Sequence, residues 1–133
     1  MGTIKDFEEL EVWKMARKLA SEIYTLTSKS PFVNDFRFRD QIRAAAGSVM
    51  DNIAEGFERS SRLEFVNFLT IAKGSAGEVR SQLYRALDQR YVSEDDSAKL
   101  IEEYKALSAK IFGFIKYLNT SEHKGQKFKD RLI

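Results

Sequence analysis

The chain has 133 residues, which corresponds to a single domain of ordinary size. It contains no cysteine and one histidine, and this excludes disulfide frameworks, thiolate metal sites and cysteine nucleophiles. Its 22 basic and 20 acidic side chains leave a net charge of +2, and its seven glycines and one proline disfavour a turn-rich β fold.

The first helix is predicted where apolar side chains step by four and three along one face. The residues in this series are Val12, Ala16, Leu19, Ile23 and Leu26. Asp6 and Glu9 have the spacing of a capping box just before it. The sequence therefore predicts a first helix from about residue 7 to residue 28, ended by Ser30-Pro31.

The two middle helices continue the same alternation. The second is predicted over residues 36–58 by Phe38, Ile42, Ala45, Val49, Ile53 and Phe57. Ser61 and Glu64 form another capping-box pattern ahead of the third helix. The third helix has the longest unbroken series, which comprises Phe65, Leu69, Ala72, Ala76, Val79, Leu83 and Ala86.

A fourth helix is predicted to follow Ser93, which has the type and position of a cap. Its apolar series is Leu100, Tyr104, Leu107, Ile111, Phe114 and Leu118. Short connections make neighbouring helices antiparallel. We therefore predict an all-α fold, an up-down-up-down left-handed antiparallel four-helix bundle over residues 1–121, followed by a basic C-terminal tail over residues 122–133.

Small side chains face each other in the second and third helices. Counting back from the turn near residue 60 places residues 44–47, Ala-Ala-Ala-Gly, level with residues 74–77, Gly-Ser-Ala-Gly. Glycine inside a helix costs about 1 kcal/mol relative to alanine, so these glycines require a reason. Close packing within the bundle or against another subunit is the favoured reason, because the glycine pattern of a phosphate-binding loop is absent.

Two polar stripes run beside the small residues. On the second helix the stripe is Gln41, Ser48, Asn52, Glu55 and Arg59, and on the third it is Ser75, Glu78, Gln82, Arg85 and Gln89. They predict either a hydrogen-bonded seam between helices or subunits, with Arg43 paired to Glu78, or a groove that contacts RNA or protein. Glu55 and Glu78 lack an accompanying nucleophile, base or metal-ligand set, so we predict no catalytic, metal or cofactor site.

Several segments resemble the bacterial four-helix-bundle proteins encoded by intervening sequences in 23S ribosomal RNA genes. They are Phe7-Glu8-Glu9-Leu10-Glu11-Val12-Trp13, Asn52-Ile53-Ala54-Glu55-Gly56-Phe57, and the A-x-G-S-x-x-E-x-x-x-Q-L pattern from Ala72 to Leu83. The resemblance covers roughly residues 7–120 and implies a ring-like homopentamer without enzymatic activity. A related bundle protein is a basic pentamer that engages a reverse transcriptase and nucleic acid in diversity-generating retroelements.

Two positions depart from the family pattern and lower the positive charge, Ala44 where a second basic residue is common and Glu58 where a small or polar residue is common. A pentamer would carry about +10, five times +2, so its general attraction to RNA is modest unless cations cluster on one face. The candidate residues for binding nucleic acid or a partner are Arg37, Arg39, Arg43, Arg59, Arg62, Lys73, Arg80 and Arg85.

Aromatic and basic residues alternate at the start of the second helix, from Phe36 to Arg39. The phenylalanines either stack bases between cations or close the end of the bundle, and the second interpretation is favoured. Four further basic residues lie in the tail, Lys124, Lys127, Lys129 and Arg131.

The sequence thus predicts a non-catalytic homo-oligomer, a pentamer by resemblance, that associates with RNA or DNA. The alternative is a protein–protein adaptor that does not bind nucleic acid directly. The longest apolar runs are too short to cross a membrane and the first residues lack a signal-peptide pattern, so a cytoplasmic protein is expected.

Overall fold

A computed structural model describes residues 4–120 of the chain. Over this range the backbone forms four α-helices, α1 (Glu11–Thr27), α2 (Phe36–Glu58), α3 (Arg62–Asp88) and α4 (Glu94–Leu118). Two short 3-10 turns, Phe7–Glu9 and Phe32–Asn34, precede α1 and α2. The predicted all-α fold is confirmed. The predicted tail, with its four basic residues, lies outside the described residues.

Side-chain contacts give the directions of the helices. Arg59 contacts Glu64 beside the α2–α3 connection, and Gln41 contacts Arg85 near the opposite ends, so α2 and α3 are antiparallel. The helix α4 runs antiparallel to α3, as shown by the contacts of Arg62 with Asn119 and of Lys73 with Phe112. It also runs antiparallel to α1, because Glu11 contacts Lys110 near one end and Leu26 and Leu100 line one concavity near the other. These relations make α1 antiparallel to α2 as well. The left-handed sense of the packing stays a prediction.

The predicted start of the first helix is wrong. Glu9 accepts a hydrogen bond from the Asp6 N–H at 3.0 Å, but this contact belongs to the 3-10 turn. Leu10 then has an extended backbone, and α1 begins at Glu11. Leu10 lies two residues before the buried Val12, so a continuous helix would rotate it about 200° away from the core. The extended residue instead allows the Leu10 side chain to be buried.

The other three helices begin at side-chain caps. Asp35 accepts a hydrogen bond from the Phe38 N–H at 3.3 Å, which caps α2. Ser61 accepts from the Glu64 N–H at 3.3 Å, and Ser93 accepts from the Asp96 N–H at 3.0 Å. Each cap satisfies one of the N–H groups that the first turn of a helix leaves without a partner.

The core lies along the apolar faces of all four helices. The largest fully buried side chains are Tyr104, Phe32, Phe57, Phe65, Ile23, Ile42, Ile53, Leu69, Leu83, Leu107 and Ile111. Near the α2–α3 connection, Gly56 permits a close approach, because a Cβ added there would lie 2.6 Å from the Phe68 Cβ. Within residues 4–120 we find no helix that is both long and apolar enough to span a membrane.

Candidate nucleic-acid interface

The two predicted polar stripes meet along the α2–α3 seam. The hydroxyl oxygens of Ser48 and Ser75 lie 2.9 Å apart, and the Asn52 amide donates to the Ser48 hydroxyl at 2.9 Å. Farther along α3, the Gln82 amide donates to Glu78 at 3.3 Å. The contacts of Ser48 with Ser75 and of Gln41 with Arg85 therefore join the two stripes across the helices, whereas the Asn52 and Gln82 bonds lie within one helix. Glu55 contributes an ion pair with Arg59 on its own helix, at 2.9 Å.

The small residues have two different environments. Ala45, Ala46 and Ala76 are buried in the bundle, as close packing of the two helices requires. By contrast, a Cβ added at Gly47, Gly74 or Gly77 would meet no other heavy atom within 4 Å among the described residues. Close packing within one chain therefore does not explain these three glycines, and contact with another subunit stays a prediction.

Arg43 does not pair with Glu78, so this prediction is wrong. Its guanidinium Nε donates to the buried hydroxyl of Thr27 at 2.7 Å, and its NH2 donates to Ser28 Oγ at 3.0 Å. Both partners belong to the C-terminal end of α1, where a cation is favoured by the helix dipole. The Arg43 side chain therefore links α2 to the end of α1.

The eight candidate cations do not form one cluster. Arg59 and Arg62 lie at one end of the α2–α3 pair, where Arg59 bonds Glu55 and Glu64 and Arg62 bonds Asn119. Arg85 lies 23 residues along α3 from Arg62, a separation of about 35 Å. Two candidates lie between them on α3. Lys73 is exposed, and Arg80 is half-buried with an Nε atom that has no hydrogen-bond partner among the described residues.

Three candidates lie at the same level of the bundle, where α2 begins and α3 ends. Arg85 places its guanidinium carbon 4.0 Å from the Phe38 ring centre and donates to the Gln41 amide oxygen at 3.3 Å. Arg37 is exposed, and Arg39 pairs with Asp40 at 2.9 Å. We call this group, which also includes an exposed aromatic side chain, the arginine end: Phe36, Arg37, Arg39 and Arg85.

The alternating phenylalanines have separate roles. Phe38 is buried and packs 5.0 Å from the Phe32 ring centre, so it closes the end of the bundle as expected. Phe36 is 65% exposed, and the Arg39 guanidinium carbon lies 5.0 Å from the centre of its ring. The favoured interpretation is therefore wrong for Phe36, and of these two phenylalanines only Phe36 offers an exposed ring beside a cation on which a base could stack.

A basic group on α1 was missed by the sequence analysis. Lys14, Arg17 and Lys18 are exposed, and together with Ser21 and Glu22 they line a surface concavity of about 420 Å³. The sequence contains a signal for this group. Arg17 and Lys18 follow Lys14 by three and four residues, on the side of the predicted helix opposite the apolar stripe.

An apolar cavity of about 360 Å³ lies between the start of α1 and the end of α4. Beside it, the Glu11 carboxylate is 2.7 Å from the Lys110 ammonium. The hydrogen bond and charge of Lys110 hold the pKa of Glu11 below its usual value. The residues that line the cavity are Ile4, Leu10, Glu11, Val12, Lys110, Phe114 and Tyr117.

Comparison with known proteins adds two findings. Residues 8–113 match the family model described as 23S rRNA-intervening sequence protein. The fold is similar to the crystal structure of a protein with unknown function from the S23 ribosomal protein family of Bacteroides thetaiotaomicron VPI-5482, with a TM-score of 0.73 and 22% identity over 79% of this chain and 98% of that chain. At this identity the likeness shows the fold alone. None of the curated proteins has significant sequence similarity to this chain.

Proposed function

The chain belongs to the 23S rRNA-intervening sequence protein family, and from this premise we propose that it is a non-catalytic, oligomeric cytoplasmic protein that associates with structured RNA. The family description refers to 23S rRNA and gives no binding residues. The contact proposed here rests on the arginine end, where side chains of α2 and α3 meet.

The observation that carries the proposal is the unbalanced charge of two guanidinium groups. Arg85 is held by an aromatic ring and a neutral amide, so its positive charge is not cancelled by its partners. Arg37 forms no ion pair within residues 4–120. Guanidinium groups bind phosphate through two parallel N–H donors, and a positioned group loses less side-chain entropy on binding. Arg37 and Arg85 are therefore assigned to RNA phosphates.

Phe36 supplies a second kind of contact. Its ring is exposed, with Arg39 beside it, and an unpaired base can stack on such a ring whatever its sequence. Structured RNA offers unpaired bases in loops and bulges next to phosphates. We therefore expect the arginine end to favour a hairpin with an open loop over a continuous duplex.

Assembly and the absence of catalysis are parts of the same proposal. The open surface at Gly47, Gly74 and Gly77 supports subunit contact there, and a ring would repeat the arginine end in every subunit. The two carboxylates considered for catalysis are engaged locally, Glu55 with Arg59 and Glu78 with Gln82. These contacts support a structural role for both carboxylates.

The test is a fluorescence-anisotropy titration of a labelled RNA hairpin, repeated between about 50 mM and about 200 mM salt. We expect binding that weakens linearly on a plot of log K against log salt. The double variant Arg37→Gln/Arg85→Gln should reduce the magnitude of that slope by about 1 to 2. Phe36→Ala should weaken binding of the hairpin more than binding of a blunt duplex.

The matched control is Arg59→Gln/Arg62→Gln, which removes two positive charges at the other end of the α2–α3 pair. It should leave the slope nearly unchanged if the arginine end is the contact. Equal effects of the two double variants would show that net charge alone attracts the RNA and would refute the assigned site. Absence of binding by the unsubstituted protein at the lowest salt would refute RNA association.

A protein–protein adaptor is the second candidate. It is favoured by exposed apolar side chains on α3 and α4, because Leu63, Tyr84 and Phe112 are each more than half exposed. Large apolar groups on a surface frequently mark contacts with proteins. Salt-insensitive binding to a protein, together with no binding to RNA, would support this function in place of the first.

A further inference from the structure

The outer face of α1 has the properties of a second binding surface. Lys14, Arg17, Lys18 and Ser21 follow one another at steps of three, one and three, which places all four on the side opposite the core. All four are exposed, and they line one concavity of about 420 Å³ with Glu22. We call Lys14, Arg17 and Lys18 the α1 basic face.

The positive charges of the α1 basic face are only partly balanced by neighbouring acids, because Lys14 also acts on the Glu11 carboxylate and Glu22 lines the same concavity. Within the described residues, its three cations form no ion pair. Like charges four residues apart, such as Lys14 and Lys18, destabilise a helix by a few tenths of a kcal/mol. A helix selected for stability alone would place a carboxylate at one of these positions.

The two carboxylates nearest the face along α1 are directed toward α4. Glu11, three residues before Lys14, pairs with Lys110 of α4. Glu22 is four residues after Lys18, at the spacing of a helical ion pair, yet its Oε2 atom is buried and accepts no hydrogen bond from the described residues. Its charge acts on the buried Tyr104 of α4. This arrangement leaves the three cations without an ion-pair partner among the described residues, so their donors are available to an external anion.

Arg17 is also positioned for such an anion. Its guanidinium carbon lies 5.6 Å from the centre of the Trp13 ring, and that ring packs edge-on against Phe7 at 5.1 Å. Stacking on an aromatic ring restricts the guanidinium while leaving its N–H donors available. Two ammonium groups and one restrained guanidinium within a helical turn suit a chain of phosphates better than a single carboxylate.

We propose that the α1 basic face is a phosphate-binding surface that contacts the backbone of the RNA, separately from the arginine end; this inference rests on the proposed function. Thr27 of α1 lies level with Arg43 of α2, so Lys18 is level with about residue 52. The two surfaces are therefore about 20 Å apart along the bundle.

The chain offers a local probe, because Trp13 is its only tryptophan. Its ring lies under Arg17, so its fluorescence reports on an anion bound at this face. We would titrate inorganic polyphosphate and the RNA hairpin into the full chain at low salt and follow Trp13 emission. The tested variant is Lys14→Gln/Arg17→Gln/Lys18→Gln, which keeps Trp13.

The control removes three exposed cations of α4, as Lys99→Gln/Lys105→Gln/Lys116→Gln, and so makes the same change in net charge. We expect the α1 variant to weaken polyphosphate binding about tenfold and to reduce the salt slope for RNA by about 2, and the α4 variant to change both much less. Circular dichroism spectra should show that both variants are folded.

Each result has one meaning. RNA binding with an unchanged slope in the α1 variant overturns the inference and leaves the proposed function intact. If the hairpin does not bind and the proposed function fails, a polyphosphate response that is lost in the α1 variant still supports the phosphate surface. If polyphosphate leaves Trp13 emission unchanged, or affects both variants alike, the α1 basic face is not a phosphate-binding surface.

Discussion

The Arg43 guanidinium carbon lies 3.9 Å from the centre of the Tyr24 ring, and the same group donates hydrogen bonds to Thr27 and Ser28. One side chain of α2 therefore covers the last turn of α1, where carbonyl groups lack partners within the helix. The Tyr24 carbonyl is among the acceptors, at 3.5 Å. This contact fixes the α1–α2 pair at the end nearest the arginine end.

Replacing Arg43 should destabilise the fold. Arg43→Gln removes the stacking, the charge at the α1 C-terminus and the bond to Thr27, so we expect the free energy of unfolding to fall by about 1 to 3 kcal/mol. Arg43→Lys should recover only part of this loss, because an ammonium group lacks the planar fork. Urea unfolding followed by circular dichroism measures both. A fully stable Arg43→Gln protein would contradict the structural role.

Two glycines of the α2–α3 pair should respond in opposite ways to alanine. At Gly56 the added Cβ would lie 2.6 Å from Phe68, so Gly56→Ala should lower the free energy of unfolding by about 2 kcal/mol. At Gly74 the added Cβ enters open space, and Gly74→Ala should raise the stability of a separated chain by about 1 kcal/mol. Urea unfolding at low protein concentration compares the two.

The Gly74→Ala protein also tests the proposed assembly. If the open glycines contact another subunit, the added methyl group weakens that contact while the separated chain becomes more stable. Sedimentation equilibrium of the two glycine variants at the same concentration distinguishes these effects. An unchanged mass for Gly74→Ala would place the subunit contact elsewhere on the protein.

Asp35 links the start of α2 to the end of α3. Its carboxylate caps α2 and also accepts a hydrogen bond from the Tyr91 hydroxyl at 2.9 Å. Tyr91 reaches it because α3 ends in a Schellman motif, in which Arg90 has a φ of 60° and the Tyr91 N–H bonds the Ala86 carbonyl at 2.9 Å. This motif places the Tyr91 ring beside Phe32 and Phe38, which close this end of the bundle.

Asp35→Ala should therefore have two measurable effects. The loss of the cap should lower the free energy of unfolding by about 1 kcal/mol. The bond to Asp35 raises the pKa of Tyr91, so its removal should lower the pKa of Tyr91 toward the ordinary value near 10. Ultraviolet difference titration against Tyr91→Phe isolates this tyrosine. An unchanged titration in the Asp35→Ala protein would contradict the contact.

Much of the fold follows from spacing alone. The predicted second helix, residues 36–58, coincides with α2, and the cap residues Ser61 and Ser93 stand where the structure has them. Long helices are predictable because one apolar face recurs at every turn. Leu10 was mispredicted because a single buried residue outside the helical period changes the path of the chain, and its burial depends on tertiary packing.

The site was less predictable because residue counting gives a level along the bundle and not a side of the helix. Gln41 and Arg43 are two residues apart, hence about 200° around α2. Gln41 consequently contacts α3, whereas Arg43 contacts α1, although both lie level with the end of α3. The separation of Arg62 from Arg85 could have been calculated from the helical rise. The direction of Glu22 toward α4 could not have been calculated, because it depends on how α1 and α4 pack.

That inward direction leaves a group of polar atoms without partners between α1 and α4. Tyr104 is fully buried, and its hydroxyl has no hydrogen-bond partner among the described residues. One carboxylate oxygen of Glu22 and one of Glu103 are also buried without a hydrogen-bond partner among the described residues. Burial, and then the negative charges of Glu22 and Glu103, raise the pKa of Tyr104 well above its usual value.

Tyr104→Phe should remove the free-energy cost of burying this hydroxyl, because the variant keeps the ring and lacks the polar group that has no partner. We expect the free energy of unfolding at neutral pH to rise by about 1 kcal/mol. Above a pH of about 10, Tyr104 releases its proton in the unfolded chain but retains it in the folded chain. The free energy of unfolding of the wild-type chain should therefore fall by up to about 1.4 kcal/mol per pH unit, and that of the variant should not. Urea unfolding of both proteins at neutral and alkaline pH measures the difference, which should widen with pH. A variant that is less stable at neutral pH, with no widening at high pH, would mean that the Tyr104 hydroxyl has a hydrogen-bond partner in solution.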